Sequence, residues 1–343
     1  MGSKILDLVE GKELDIRSLR GKTLAVDAFN TLYMFLTTIR GRDGTPLQNK
    51  NGKMTSHLVG IFNRFTKYLE KGIKFVFVFD GKAPDLKSEE VSRRKDLKKE
   101  AKKKYEEAKK EEDIENMKKY AARSVFLTKD LIEESKELIR AMGMGVVEAP
   151  SEGEAQAAHI VKKGDAYAVV SQDADSLLAG APRIIRNLNT TRKRKLPGRQ
   201  GYKTTYPEII ELNDVLDSLR VDLNQLILLA MLVGTDYNYG GVKGVGPKRG
   251  IKLVRKYKDD PKGLFEHVGW SDNFDISWKK VYETLKNVKV KDYSFETKDY
   301  NPELIRTLLV EKNDFSSDRV ENNLEKLERA QKVNKQKGLQ DFF

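Results

Sequence analysis

Carboxylates recur at the ends of short apolar runs in this chain. The runs read Thr-Leu-Ala-Val-Asp27, Phe-Val-Phe-Val-Phe-Asp80, Gly-Val-Val-Glu-Ala-Pro-Ser-Glu152 with Glu154 close behind, and Ala-Tyr-Ala-Val-Val-Ser-Gln-Asp173 with Asp175. Acids gathered within a few ångströms repel one another and cannot all ionise unless cations neutralise them. Carboxylate oxygens, in a chain with no cysteine and three histidines, select hard ions, so Mg²⁺ is the natural partner and Mn²⁺ its substitute. Two such ions about 4 Å apart need oxygen ligands from several elements, which is what recurrence at successive strand ends supplies.

The elements that must carry these acids are short, almost continuous apolar strands alternating with helical patterns. That reads as an α/β fold with a central, mostly parallel sheet flanked by helices, its strands buried on both faces and ending along one edge. Ligands bind at that edge in such folds. Each acid also has a local reading. Asp80-Gly81 is an ordinary turn signal, Ser151 and Glu154 match a capping box, and Asp173 and Asp175 could form turns or caps. Caps alone do not require strand after strand to end in an acid.

Lys and Arg outnumber Asp and Glu by 64 to 52, a formal charge of +12. With the acids concentrated at one place, the basic excess elsewhere is larger still, which suits a polyanion such as nucleic acid. The absence of cysteine excludes a disulfide scaffold and a thiolate zinc site. No run is long and apolar enough to span a bilayer, and the first residues resemble neither a secretory nor a transit signal. An intracellular protein of the cytoplasm or nucleoid is expected.

Residues 1–82 form the first part of the core, with a polar Gly41 to Met54 loop between two helical patterns. Residues 83–129 are Lys- and Glu-rich with sparse apolar positions, so they favour helix without a core-facing stripe. A solvated spacer would look the same, but this segment leaves the rim of the acidic edge just after Asp80 and returns there, as a helical lid would. The core resumes over 130–330, including an apolar helix from Asp222 to Val233. The stretch Thr-Thr-Arg192 to Arg199 is a basic turn, either contacting phosphate or merely soluble. In Gly240-Gly-Val-Lys-Gly244-Val-Gly246-Pro247-Lys248-Arg249, Pro suits the first position of a helix. Backbone N–H groups at that helix start can receive a phosphate without reading bases, with Lys248 and Arg249 beside them. The tail over 331–343 ends Gln336-Lys-Gly-Leu339-Gln-Asp-Phe342-Phe343, one turn of anchors suited to a partner's groove.

In this order the motifs resemble the XPG-type structure-specific 5′ nucleases, in particular flap endonucleases of archaeal form. The likeness runs from Val-Asp27 through Phe-Asp80-Gly, Pro-Ser-Glu152-Gly-Glu154-Ala-Gln and Ser-Gln-Asp173-Ala-Asp175 to Gly-Thr-Asp236-Tyr. It implies a two-Mg²⁺ endonuclease, with 5′–3′ exonuclease activity, that leaves a 5′ phosphate and a 3′ hydroxyl in Okazaki fragment maturation and DNA repair. The implied metal ligands are Asp27, Asp80, Glu152, Glu154, Asp173, Asp175 and Asp236. Lys87 and Arg94 correspond to the family's catalytic cations, and Tyr33 to an aromatic on which a base stacks. Thr55 and Arg64 correspond to DNA contacts near the junction. The Gly-rich turn resembles a helix-hairpin-helix module, around 222–257, that grips duplex backbone with K⁺. The tail residues Gln336, Leu339, Phe342 and Phe343 resemble the box that binds the sliding clamp. A monomer acting on branched DNA with 5′ flaps is implied. A non-catalytic junction-binding adaptor and a 5′ exonuclease or bubble-cutting relative are the competing readings.

Overall fold

A computed structural model describes residues 4–41, 44–111, 113–189, 193–195 and 202–340. Nine strands are present among them: β1 Lys12–Glu13, β2 Thr23–Asp27, β3 Lys74–Phe79, β4 Gly145–Glu148, β5 Ala168–Val170, β6 Arg183–Arg186, β7 Lys193–Lys195, β8 Tyr202–Thr204 and β9 Glu208–Glu211. Seven make one sheet in the order β1-β9-β6-β5-β2-β3-β4. From β4 to β6 every pairing is parallel, and β9 and β1 close one side antiparallel. The mostly parallel α/β sheet read from the sequence is therefore correct.

Burial on both faces explains the unbroken apolar runs. Along β3, Phe75, Phe77 and Phe79 point to one core with Leu24, Val26, Phe35 and Phe65, while Val76 and Val78 point to the other with Ala25, Val169 and Ile184. Side chains alternate across a strand, so a strand covered on both sides needs an apolar residue at every position. Phe65 packs edge-on against Phe75 and Phe77 with ring centroids 4.8 Å from each. The other face is covered by helix Gly153–Lys162, which packs on β2, β3 and β5, and the same core takes in helix Leu223–Val233, whose run from Leu226 to Val233 is buried. Asp222 caps it through a reciprocal capping box with Gln225.

The chain crosses from β2 outward through β3 to β4, then returns to place β5 on the other side of β2. Connections thus leave the adjacent strands β2 and β5 in opposite directions, which opens a crevice at their carboxyl ends. The inserted segment is two helices, Ser88–Lys110 and Ile114–Arg123, packed on each other. Among the described residues of this hairpin, Ala101, Ala108 and Ala121 are the buried apolar ones. Small residues let two highly charged helices meet without the wide apolar stripe that the sequence lacks. The basic stretch after Asn189 includes paired strands, Lys193–Lys195 against Tyr202–Thr204; the rest of that turn lies outside the described residues. Among the described residues no helix is long and apolar enough to cross a membrane.

Candidate active site

The six strand-end acids do meet at one edge. Asp27 is the last residue of β2; one carboxylate oxygen accepts the Asn30 N–H at 3.0 Å, and the other accepts the Ser171 hydroxyl at 3.1 Å. Asp80 follows β3 directly and accepts the Gly153 N–H at 2.8 Å. A Cβ on residue 153 would stand 2.6 Å from that carboxylate oxygen, so only glycine lets the helix start approach Asp80. Helix Gly153–Lys162 begins with Glu152 at its N-cap and no side-chain cap bond. The capping-box reading of Ser151 and Glu154 is thus wrong: Glu154 is turned instead towards Ser171, whose hydroxyl lies 3.3 Å away. Asp173 accepts from the Asn30 amide at 3.3 Å, and Asp175 opens the short helix Asp175–Leu178 with no cap of its own.

Electrostatics mark the cluster as strained. Burial, followed by the nearby charges of Asp80 and Asp173, pushes Asp27 up to about 7. Burial, then Asp173 and Asp236, does the same to Asp175, also to about 7. Glu154 is raised well above the carboxylate range by burial and by Asp175 and Asp27. Asp80, open to solvent at its edge, is raised by the protein packed around it despite the Gly153 N–H and Lys87. An all-oxygen set of acids that resist ionisation alone fits hard divalent cations, which favour the charged forms. Among the described residues no three His, Cys, Asp or Glu side chains already stand in a ligating arrangement.

Two of the acids are engaged by cations from the inserted segment. Lys87, at the end of the turn Asp85–Lys87, contacts Glu152 directly and lies 3.0 Å from Asp236. Arg94 donates to the other oxygen of Asp236 at 2.6 Å. Seven residues apart, the two share Asp236, while Glu152 is engaged by Lys87 alone of the pair. Burial alone would lower the Lys87 ammonium, but Glu152 and Asp236 reverse this and raise it, so it stays charged. Burial opposes ionisation of Asp236 too, yet Lys87 and Arg94 bring it below the usual range.

Tyr33 faces this hairpin, its hydroxyl accepting from Lys98 Nζ at 2.9 Å with the ammonium also over its ring. Thr55 is buried at the N-cap position of helix Ser56–Gly60, and Arg64 lies in the π-turn Ile61–Phe65 that follows. Gly246 caps helix Pro247–Tyr257 with Pro at its first position, as the sequence suggested; Lys248 and Arg249 are exposed, and Arg249 donates to the Gly244 carbonyl at 3.1 Å. Gln336 and Leu339 fall within the long terminal helix Ser317–Gln340, while Phe342 and Phe343 lie outside the described residues. Sequence reasoning missed Ser171, which joins Asp27 to Glu154, and Tyr237, whose hydroxyl donates to Glu152 at 2.9 Å. Both sit inside motifs already singled out for their acids. Adjacency to those acids was the signal available.

Comparison with known proteins agrees with the geometry. The XPG N-terminal domain model matches residues 3–101, and the XPG I-region model matches residues 143–236. Flap endonuclease 1 of Pyrococcus abyssi is 46% identical across 100% of this chain and 98% of its own length. The Aeropyrum pernix protein of that name is 47% identical over 96% of this chain and 95% of its own length. Among solved structures, flap endonuclease-1 from Methanococcus jannaschii superposes with a TM-score of 0.75 at 42% identity, covering 96% of this chain and 98% of that one. The catalytic core of Rad2 in complex with DNA substrate shares the fold, with a TM-score of 0.69 at 24% identity over 95% of this chain and 100% of the other.

Proposed function

The chain belongs to the XPG-type flap endonucleases, structure-specific 5′ nucleases of Okazaki fragment maturation and DNA repair, and on that premise we propose how its residues divide the work. The reading is of an Mg²⁺-dependent endonuclease, with 5′–3′ exonuclease activity, that leaves a 5′ phosphate and a 3′ hydroxyl. The observation that carries it is the meeting of strand-end acids with two cations from a separate helical insertion. A protein that only bound DNA would gain nothing from burying acids where a polyanion must approach.

Asp27 and Asp80 would chiefly hold one ion and Asp173, Asp175 and Asp236 the other, with Glu154 between them and Glu152 beside Lys87. When bound, the ions acidify the attacking water and neutralise charge on the departing oxygen. The chain's own residues do the rest. Lys87 and Arg94 sit where a scissile phosphate can exchange places with the Glu152 and Asp236 carboxylates, so the cations already aimed at acids are available for its developing charge. Ser171 and Asn30 keep Asp27, Glu154 and Asp173 oriented through hydrogen bonds. Tyr33, at the foot of the inserted hairpin, offers a ring face to the first unpaired base.

Duplex would be held at the Gly244 to Arg249 turn, whose backbone would also hold K⁺. The junction would bend over the loop and helix carrying Thr55 and Arg64, and the flap would pass beneath the inserted hairpin. The decisive experiment is cleavage of labelled 5′-flap, blunt duplex and single-stranded DNA with Mg²⁺ and with EDTA. Incision at the flap junction that EDTA abolishes is the expected result. Tight junction binding with no incision under any divalent metal would support the adaptor instead, and cutting confined to 5′ ends would support the exonuclease.

Gln336, Leu339, Phe342 and Phe343 would anchor the protein on the sliding clamp. Phe342→Ala combined with Phe343→Ala is expected to leave clamp-free cleavage unchanged and to remove stimulation by added clamp. Stimulation equal to that of the unaltered protein would rule the tail out as the anchor.

A further inference from the structure

Arg94 is gripped at two edges. Its Nη2 donates to Asp236 at 2.6 Å, and its Nε donates to Glu90 Oε1 at 2.7 Å. Glu90 lies one helical turn earlier and is only 6% exposed. A carboxylate buried in a segment that must face a polyanion carries a desolvation cost and repels the substrate, so it needs a compensating role. Its second partner is Arg93, which donates from Nε to Oε2 at 2.7 Å and from Nη2 to Oε1 at 2.8 Å. The two oxygens of Glu90 therefore accept three N–H bonds from two adjacent arginines, which would otherwise repel one another.

Arg93 has a further contact. Its guanidinium lies over the Tyr239 ring, 3.7 Å from the centroid. Tyr239 is 56% exposed, so the ring adds little to the core, but its backbone is fixed. Beside it, Asn238 is buried and donates to the Met231 carbonyl at 2.6 Å. Two residues on, Gly241 has φ +69°, and a Cβ there would stand 2.4 Å from the Val233 carbonyl carbon. The ring thus stands on a turn tied to the buried helix Leu223–Val233, whereas Glu90, Arg93 and Arg94 ride on a hairpin with few apolar anchors.

We propose that Glu90 and Tyr239 are positioning residues for Arg94, Glu90 fixing the guanidinium and the Tyr239–Arg93 stack fastening the base of the inserted helix to the nuclease core. The proposal rests on Arg94 acting at the scissile phosphate. Glu90 occupies the Nε edge, so the terminal nitrogens are left to turn from Asp236 to a phosphate without the side chain searching its rotamers again. Preorganised donors of this kind act on the chemical step rather than on affinity.

The test is a double-mutant cycle on 5′-flap DNA under single-turnover conditions with protein in excess. Glu90→Gln is expected to slow cleavage roughly tenfold or more, as loss of a charge-assisted bond would, with the Kd for the flap substrate held within about threefold of the unaltered protein. Tyr239→Ala is expected to slow it roughly two- to fivefold, in line with an exposed cation–π contact. Tyr239→Phe, which keeps the ring, should restore the rate. In an Arg94→Ala background neither Glu90→Gln nor Tyr239→Ala should slow cleavage further. Independent of activity, hydrogen exchange of the metal-free protein should quicken in peptides spanning 88–100 on Tyr239→Ala and stay unchanged in helix Leu223–Val233.

Equal slowing with and without Arg94 would overturn the proposal, as would unchanged rates in both single variants. If Arg94→Ala itself cuts at full speed, the premise about Arg94 fails. If Arg94→Ala is slow while the Glu90 and Tyr239 variants are not, only the positioning role fails. Should Glu90→Gln not fold, the Tyr239 pair and the exchange measurement decide.

Discussion

Asp175→Asn is expected to abolish flap cleavage, lowering the single-turnover rate by more than about a thousandfold, beyond the roughly 10- to 100-fold typical of groups that merely support a metal ligand. The amide keeps the shape of the side chain at the start of helix Asp175–Leu178 but removes the negative charge that would draw an ion. DNA affinity should hold or rise, because one of the charges facing the polyanion is gone. A second consequence follows from the strain on this group. Its carboxyl titrates near 7 in the folded protein against an ordinary value of 3.8, chiefly through burial and Asp173. Below about pH 4 both folded and unfolded forms hold the proton, and the group contributes no difference. Between about 4 and 7 the unfolded form has released it while the folded form has not, so stability falls as pH rises through that window and the full penalty stands above it. Metal-free Asp175→Asn should therefore melt at a higher temperature than the unaltered protein at pH 8 and at a similar one at pH 4. Residual cleavage within tenfold of the unaltered protein would remove Asp175 from the ligand set. A melting temperature lowered at pH 8 would show that the carboxylate is not under the strain described.

The sheet and its acidic edge were legible because both are written locally. Strands covered on two faces must be apolar at every position, so Phe75 to Phe79 could be read as a buried strand, and Asp80 as its end, without any tertiary information. Lys87 and Arg94, singled out through the family resemblance, both reach Asp236. What escaped the sequence depends on pairs far apart in the chain. Glu90 looks like one more charge in a Lys- and Glu-rich run, and only the fold brings Tyr239 to Arg93 and thereby gives that glutamate an address. Glu154 was misleading for the opposite reason. Three residues after a serine it satisfies a local capping rule, yet the cleft around Ser171 claims its side chain and leaves the helix start uncapped. Alanine packing between the inserted helices was also hidden, since Ala101, Ala108 and Ala121 carry helix propensity and no apolar signal of their own.

Lys87→Ala is expected to slow single-turnover cleavage by roughly 100- to 1000-fold, the range seen when a preorganised donor to developing charge is removed, while changing the Kd for flap DNA by no more than about threefold. The separation of rate from affinity comes from where the ammonium sits. Lys87 is 17% exposed and spans Glu152 and Asp236, so it is placed for one phosphate at the acids rather than for the length of the flap, which the exposed lysines further along the helix can hold. The same geometry sets it in competition with divalent ions. An ammonium between two carboxylates supplies part of the neutralisation that an ion would bring, and deleting it should tighten binding of Ca²⁺ to the DNA-free protein, measured calorimetrically. Arg94→Ala should slow cleavage over a similar range with a smaller gain in Ca²⁺ affinity, since its guanidinium reaches Asp236 alone of the acids in the cleft and divides its donors with Glu90. Opposite movements of cleavage rate and ion affinity in Lys87→Ala would identify the lysine as a participant in chemistry. A weakened Kd with an unchanged single-turnover rate would instead reduce Lys87 to an electrostatic guide for the flap.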